Sequence, residues 1–260
     1  MKKAVLFEVN KGVATITLNR PDRYNAVNQD LVDGISDSLK KCEQDDLIRA
    51  VVITGAGRGF CAGADLSVFA ENATAEERSQ YIIDQYQPLM NQFFSLKKPI
   101  IGAINGTAAG VGAAFALACD FRVMSNESGI LYAFVNIGLG PDGGASWLLA
   151  RQVGYSRALE IATSGTKVSG SECLTLGLSN RLVPQDELLT NAQQWAEALA
   201  QRPTLAIGIA KEDMFFAMNH SLNDTISFEA EQQVAAFKSH DLKEGVAAFL
   251  EKRTPNFLGK

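Results

Sequence analysis

The sequence predicts a layered α/β protein finished by a run of helices, and three observations carry that expectation. Strand, loop and helix patterns recur three times in the first 150 of 260 residues. Two apolar stretches, 49–54 and 99–105, read as buried strands, and each leads into a loop of small residues. From Asp186 onward the character changes to helical, and 200–260 lacks strand signals.

The elements follow in order. Val5–Asn10 and Val13–Leu18 flank Lys11-Gly12 and read as a hairpin. Residues 28–42 place Leu31, Ile35 and Leu39 on one helical face, with Asn28 as the cap. The β-branched run 49–54 ends in Gly55 and opens the Gly-rich loop 55–66. Residues 75–96 read as a long helix that Pro88 should kink or divide. A strand over 99–105, a small-residue helix over 110–118 and a strand over 121–124 come next, and 145–151 is helix-like. Four helices, 187–201, 204–218, 221–237 and 241–252, complete the chain. The expected division is a core over 1–199 and a helical, oligomer-forming region over 200–260.

Composition excludes several classes. With 24 Lys+Arg against 29 Asp+Glu the formal net charge is −5, which lacks the footprint of a general nucleic-acid binder. At 47% hydrophobic residues the chain is neither disordered nor in need of disulfide or metal staples. Cys42, Cys61, Cys119 and Cys173 form no CxxC pair, so neither a disulfide framework nor a zinc site is expected. Residues 99–119 run without a charge for 21 residues, long enough on paper to cross a bilayer. Four Gly, seven Ala, Asn105 and Thr107 argue instead for a close-packed strand, turn and helix, so no membrane is expected. The N-terminal segment carries Glu8 and no cleavage pattern, so a cytoplasmic protein without a signal peptide is expected.

Several catalytic patterns fail. Gly138-Leu139-Gly140-Pro141-Asp142-Gly143 matches G-x-G-x-x-G in form. Asp142 would set a carboxylate beside the phosphates, Pro141 removes a donor, and the match falls mid-chain. His220 and His240 have no acidic or thiol cluster at ligand spacing, so no metal is expected, and no G-x-S-x-G elbow occurs. Cys61 suits a small residue filling a tight turn. Gly63-Ala64 and Gly110-Val111-Gly112 each follow a buried strand, and the second enters a helix whose first N–H groups have no intrahelical partner. Two such donors on one oxygen would make an oxyanion hole. Close-packed turns would use the same glycines, and glycine content alone does not choose.

A resemblance does choose. Cys61-Ala62-Gly63-Ala64-Asp65-Leu66, the run from Pro99-Ile100-Ile101 through Gly110-Val111-Gly112, and Ala116-Leu117-Ala118-Cys119-Asp120 resemble the crotonase (enoyl-CoA hydratase/isomerase) superfamily. So do Thr17-Leu18-Asn19-Arg20-Pro21 with Asn25-Ala26, and the C-terminal Phe249-Leu250-Glu251-Lys252-Arg253. The resemblance implies an α/β spiral of ββα units, a C-terminal helical trimerisation region, and a homotrimer or hexamer. It implies acyl-coenzyme A substrates with no separate cofactor. The thioester oxygen would rest on the N–H groups of Ala64 and Val111. Arg23, Ala62, Asp65, Leu66 and Phe134 would contact substrate or coenzyme A, with Lys252 reaching in from a neighbouring subunit.

The reaction is read from carboxylates, because this scaffold hosts many activities. Ala114 and Phe134 stand where hydratase-like members carry glutamates, and neither moves a proton. The segment 137–144 resembles Δ3-Δ2-enoyl-CoA isomerases and ring-epoxide phenylacetyl-CoA isomerases, whose single carboxylate falls at Asp142. A 3-enoyl to 2-enoyl isomerase using Asp142 is therefore the leading expectation. A ring-epoxide isomerase, a hydratase-like enzyme and a noncatalytic acyl-CoA-binding protein are the alternatives. Dehalogenases of the superfamily pair such an aspartate with a histidine on the preceding long helix, and no histidine occurs in 75–96. Asp142 could instead cap the helix that follows it. Phe69, Phe93, Phe94, Phe134 and Trp147 could line an acyl pocket or serve as core.

Overall fold

The computed structural model describes residues 3–68 and 73–260. Successive ββα-like units build the chain. The first is β1 (Val5–Asn10), β2 (Val13–Leu18) and α1 (Gln29–Gln44). The second is β3 (Ala50–Gly55), a Gly-rich loop, α2 (Ala75–Tyr81) and α3 (Gln87–Ser95). The third is β4 (Ile100–Ile104), β5 (Thr107–Ala109) and α4 (Val111–Ala118), and the fourth is β6 (Phe121–Ser125), β7 (Gly129–Leu131) and α5 (Ala145–Val153). Then come α6 (Tyr155–Ser164), β8 (Lys167–Ser169), α7 (Gly170–Thr175), β9 (Arg181–Val183) and α8 (Leu188–Ala200). Three more helices follow: α9 (Thr204–Ala217), α10 (Leu222–Lys238) and α11 (His240–Glu251).

Units stack because the first strand of each joins one sheet, in the order β1-β2-β3-β4-β6-β9. Only the β1/β2 hairpin is antiparallel in it. A second, smaller sheet has the order β5-β7-β8. The parallel bridge Cys61↔Ala108 carries the loop after β3 into register beside β5. Strand periodicity divides the core between two faces. Val51, Ile53, Ile100 and Ile104 pack against the helices of the first four units. Ala50, Val52, Ile101 and Ala103 pack against Leu188, Ala192, Ala196 and Ala200, a four-residue repeat along α8. Each fully buried branched side chain contributes about 1.5–3 kcal/mol.

Beyond α8, α9 rests on α3, and its Lys211 Nζ donates to Asp120 Oδ2 at 2.9 Å and to the Phe93 carbonyl at 2.8 Å. The C-terminal tail is tied back twice. Arg49 donates to Thr204 Oγ1 and to the Arg202 and Phe257 carbonyls. Asp241 accepts from the Leu258 and Gly259 N–H groups, both at 2.7 Å.

Several sequence expectations need correction or extension. The 75–96 helix breaks at a π-helical turn, Ile82–Tyr86, ahead of Pro88. Pro88 follows just after that turn, with helical backbone on both sides, so the wider π turn falls where the residue without an N–H interrupts the hydrogen-bond ladder. The charge-free segment 99–119 holds β4, β5 and α4, and no described helix is long and apolar enough to cross a membrane. Sequence reading assigned nothing over 152–185, where α6, β8, α7 and β9 lie, and it missed β5 and β7. The missed strands have three residues each, too few to show a period. A Ser169/Glu172 capping box did mark the start of α7.

Candidate active site

The site forms where the loop after β3, the β5–α4 turn and the segment before α5 meet. Asn25 and Asn105 hold the first loop. Asn25 Nδ2 donates to the carbonyls of Ala56 and Gly59, while Asn105 accepts the Gly55 N–H and donates to the carbonyl of Gly57. Both side chains are buried, and they spend their polar groups on the loop backbone, which fixes its course.

Register then aligns two unpaired N–H groups. Cys61 pairs with Ala108, and a Cβ placed on Gly63 would lie 3.6 Å from the Gly110 Cα, so Ala64 and Val111 are the next residues along matched backbones. That same Cβ would lie 2.9 Å from the Ala109 carbonyl oxygen, and Gly63 has φ +91°, so only glycine fits this approach. Gly63 O and Asp65 N both bond to Val27, which turns the Ala64 N–H to the opposite side of the strand. Val111 is the first residue of α4, after Gly110 at φ 52°, so its N–H has no intrahelical acceptor. Neither N–H has a hydrogen-bond partner among the described residues.

Asp142 reaches the same place through two left-handed glycines. Gly143 and Gly144 have φ +57° and +80°, and a Cβ on Gly143 would lie 2.7 Å from Val111 Cγ2 and 3.8 Å from Ala114 Cβ. The acid-bearing segment is therefore seated directly on the first turn of α4. The cap of α5 is Gly144, with no side-chain cap bond, so Asp142 does not use its carboxylate as a helix cap. Asp142 Oδ1 is buried and has no hydrogen-bond partner among the described residues. Burial pushes its pKa from 3.8 up to about 6.

The remaining candidates separate. Phe134 is buried, and its ring edge lies 3.8 Å from a Cβ placed on Gly110. Ala114 is fully buried on α4 and Phe134 is buried against Gly110, so the two hydratase-like positions bring no carboxylate to the site. Asp65 is a loop anchor: Arg20 Nη2 donates to its Oδ2 at 2.8 Å, and Ser67 donates to its Oδ1 from backbone and hydroxyl. The Ser67 and Arg20 bonds hold its carboxyl below the usual range. Ala62, Leu66 and Arg23 are exposed, and the Ala62 N–H donates to the Tyr24 carbonyl. Lys252 is exposed at the end of α11, and its ammonium has no partner among the described residues. Nothing within one chain brings it to the other candidates.

Of the aromatic candidates, Phe93 stacks on Phe115 in the core, centroids 6.1 Å apart. Phe94 and Trp147 join Phe215 of α9 in a separate cluster, and Phe69 lies outside the described residues. Sequence reading missed Tyr86 and Met90, whose spacing of four sets them on one helical face toward α4 and Gly144. It also missed Gly143, although the doubled glycine after Asp142 was visible. Burial pushes the Cys61 thiol up to about 12, which leaves it inert. Among the described residues no group of His, Cys, Asp and Glu could hold a metal ion.

The family model described as enoyl-CoA hydratase/isomerase matches residues 8–260. The chain belongs to the enoyl-CoA hydratase/isomerase family. It is 39% identical to a 1,2-epoxyphenylacetyl-CoA isomerase of Escherichia coli K12, with both chains covered completely. It is 32% identical to a short-chain-enoyl-CoA hydratase of Clostridium acetobutylicum, covering 96% of this chain and 95% of that one. Its fold matches the crystal structure of an enoyl-CoA hydratase from Bacillus anthracis with a TM-score of 0.93 at 30% identity, covering 99% and 100% of the two chains. The architecture is thus the crotonase fold, and this family member is an enzyme of acyl-CoA thioesters.

Proposed function

We propose that this enoyl-CoA hydratase/isomerase family member is an isomerase that moves a double bond of an acyl-CoA thioester from the 3- to the 2-position. Asp142 carries the reading, as a largely buried carboxylate with an unpartnered oxygen, seated through Gly143 against Val111. In this mechanism the thioester oxygen accepts the N–H groups of Ala64 and Val111. Asp142 takes a proton from C2, and the electron pair of that C–H bond moves onto the thioester oxygen to give a dienolate. The carboxylic acid then returns the proton to C4 as the electrons flow back from oxygen, giving the 2-enoyl thioester and regenerating the carboxylate. One group with a pKa of about 6 has both forms accessible near neutral pH, which suits an acid and base in one. The two donors stabilise the charge that develops on oxygen, and one such donor is worth about 10²–10³ in rate.

Hydration would need a second carboxylate to activate water, and Ala114 and Phe134 provide none. In the same proposal Arg23, Ala62 and Leu66 lie toward coenzyme A, Asp65 holds their loop through Arg20 and Ser67, and Lys252 acts from a neighbouring subunit of a cytoplasmic homotrimer or hexamer. No separate cofactor takes part. A ring-epoxide phenylacetyl-CoA isomerase is the second reading, favoured by the 39% identity to the Escherichia coli enzyme of that name. It would use the same donors and the same carboxylate. The test is turnover of a 3-enoyl-CoA and a ring-epoxide phenylacetyl-CoA by wild type and Asp142→Asn. Loss of turnover in the variant is expected, and full retention would refute the assignment.

A further inference from the structure

The proposed mechanism leaves one buried polar side chain unused. Tyr86 ends the π-helical turn that precedes α3, and only 3% of its surface is exposed. Its ring is fixed edge-on against Tyr81 at 5.7 Å and against Phe115 at 6.4 Å. Phe115 lies one helical turn beyond Val111 on α4. One turn beyond Tyr86, the Met90 methyl lies 3.9 Å from a Cβ placed on Gly144. Tyr86 is thereby bracketed between the Val111 turn and the Asp142 segment. Its hydroxyl makes no hydrogen bond to any described residue and, unlike Asp142 Oδ1, is not among the fully buried unpaired atoms, so it keeps contact with solvent. Single-turn π insertions in helices recur at functional sites, where they re-aim a side chain.

We infer that the Tyr86 hydroxyl is a specificity-determining donor of the acyl pocket, where it meets an oxygen carried on the acyl group beyond the thioester. This rests on reading the cleft as an acyl-CoA site. Burial raises the pKa of Tyr86, and the Asp142 carboxylate raises it further, so the group is a standing O–H donor rather than a base. Asp142 does not accept that donor in the structure, and the two flank the same turn of α4. A hydrocarbon acyl chain placed between them would leave the donor unsatisfied after water is expelled. An acyl or aryl group bearing an epoxide or hydroxyl oxygen would satisfy it. Sites built to hydrogen-bond a substrate oxygen discriminate strongly against analogues without it. The substrate class singled out within that reading is therefore an unsaturated acyl or aryl thioester that carries a further oxygen.

The test uses two non-reacting thioesters, phenylacetyl-CoA and 2-hydroxyphenylacetyl-CoA, with affinities measured by calorimetry on wild type and Tyr86→Phe. Wild type is expected to prefer the hydroxylated ligand by about tenfold or more. The variant should bring that preference below about twofold, with phenylacetyl-CoA affinity changed by less than about twofold. Thermal unfolding of both proteins checks that the loss of one oxygen leaves the fold intact. A preference that survives in Tyr86→Phe, an equal loss for both ligands, or wild type that binds them alike or not at all would overturn the assignment. Turnover by Asp142→Asn decides the isomerase reading separately, because the affinity ratio needs no catalysis.

Discussion

Replacing Asp142 with Asn should abolish turnover and stabilise the fold in the same step. The carboxylate is held away from water with an unpartnered oxygen, and its pKa rises from 3.8 to about 6. A folded-state pKa above the unfolded one means that the folded state favours the protonated acid. Below pH 3.8 the group is neutral in both states and no penalty exists. As pH rises through about 6, the folded state must hold a poorly solvated charge, and the penalty approaches its full value. The shift corresponds to about 3 kcal/mol, and partial solvent access lowers the realised figure to about 1–2 kcal/mol. Asparagine carries the same shape without the charge. Urea unfolding of wild type and Asp142→Asn at pH 4 and pH 8 measures the difference. The variant should be more stable by about 1–2 kcal/mol at pH 8, with most of that gain gone at pH 4. A variant destabilised equally at both values would show that the Asp142 carboxylate makes favourable native contacts, and the proton-carrier argument would lose its physical basis.

Three further outcomes follow from the same geometry. The logarithm of kcat/KM for a 3-enoyl-CoA should rise with unit slope as pH approaches about 6 and level off above it, since the base form is required; a profile flat from pH 5 to 8 contradicts this. Gly143→Ala would bring a Cβ to 2.7 Å from Val111 at φ +57°, so a loss of about 1–3 kcal/mol in urea unfolding and at least about tenfold in kcat is expected. Asp65→Ala leaves Arg20 without its buried partner and should destabilise by about 3 kcal/mol, whereas Lys40→Ala, which breaks an exposed pair with Asp37, should change stability by less than about 0.5 kcal/mol.

Long patterns were legible before any coordinates. The runs of β2, β3 and β4, the Asn28 cap of α1 and the four C-terminal helices all exceed the length at which a period or a capping signal stands out. The three-residue strands β5, β7, β8 and β9 do not, because their existence depends on neighbours distant in sequence. In the site, motif order named Ala64, Val111 and Asp142, but no local pattern could show that Gly143 seats one loop on another. Asp65 was named as a substrate contact, and its side chain instead serves Arg20 and Ser67, a partnership formed across 45 residues. Lys252 was named for a neighbouring subunit, and within one chain it stands alone among the described residues. Tyr86 went unnoticed because the π-helical turn that aims it is a feature of packing, invisible in a run that reads as ordinary helix.

The central claim, a single-carboxylate isomerase, meets its most direct test in deuterium exchange. A 3-enoyl-CoA incubated with the enzyme in D₂O and followed by mass spectrometry should yield 2-enoyl-CoA, with deuterium entering C2 or C4 and no hydrated product, and Asp142→Asn should show neither exchange nor isomerisation. Accumulation of a 3-hydroxyacyl thioester, or exchange that persists in Asp142→Asn, would contradict the account.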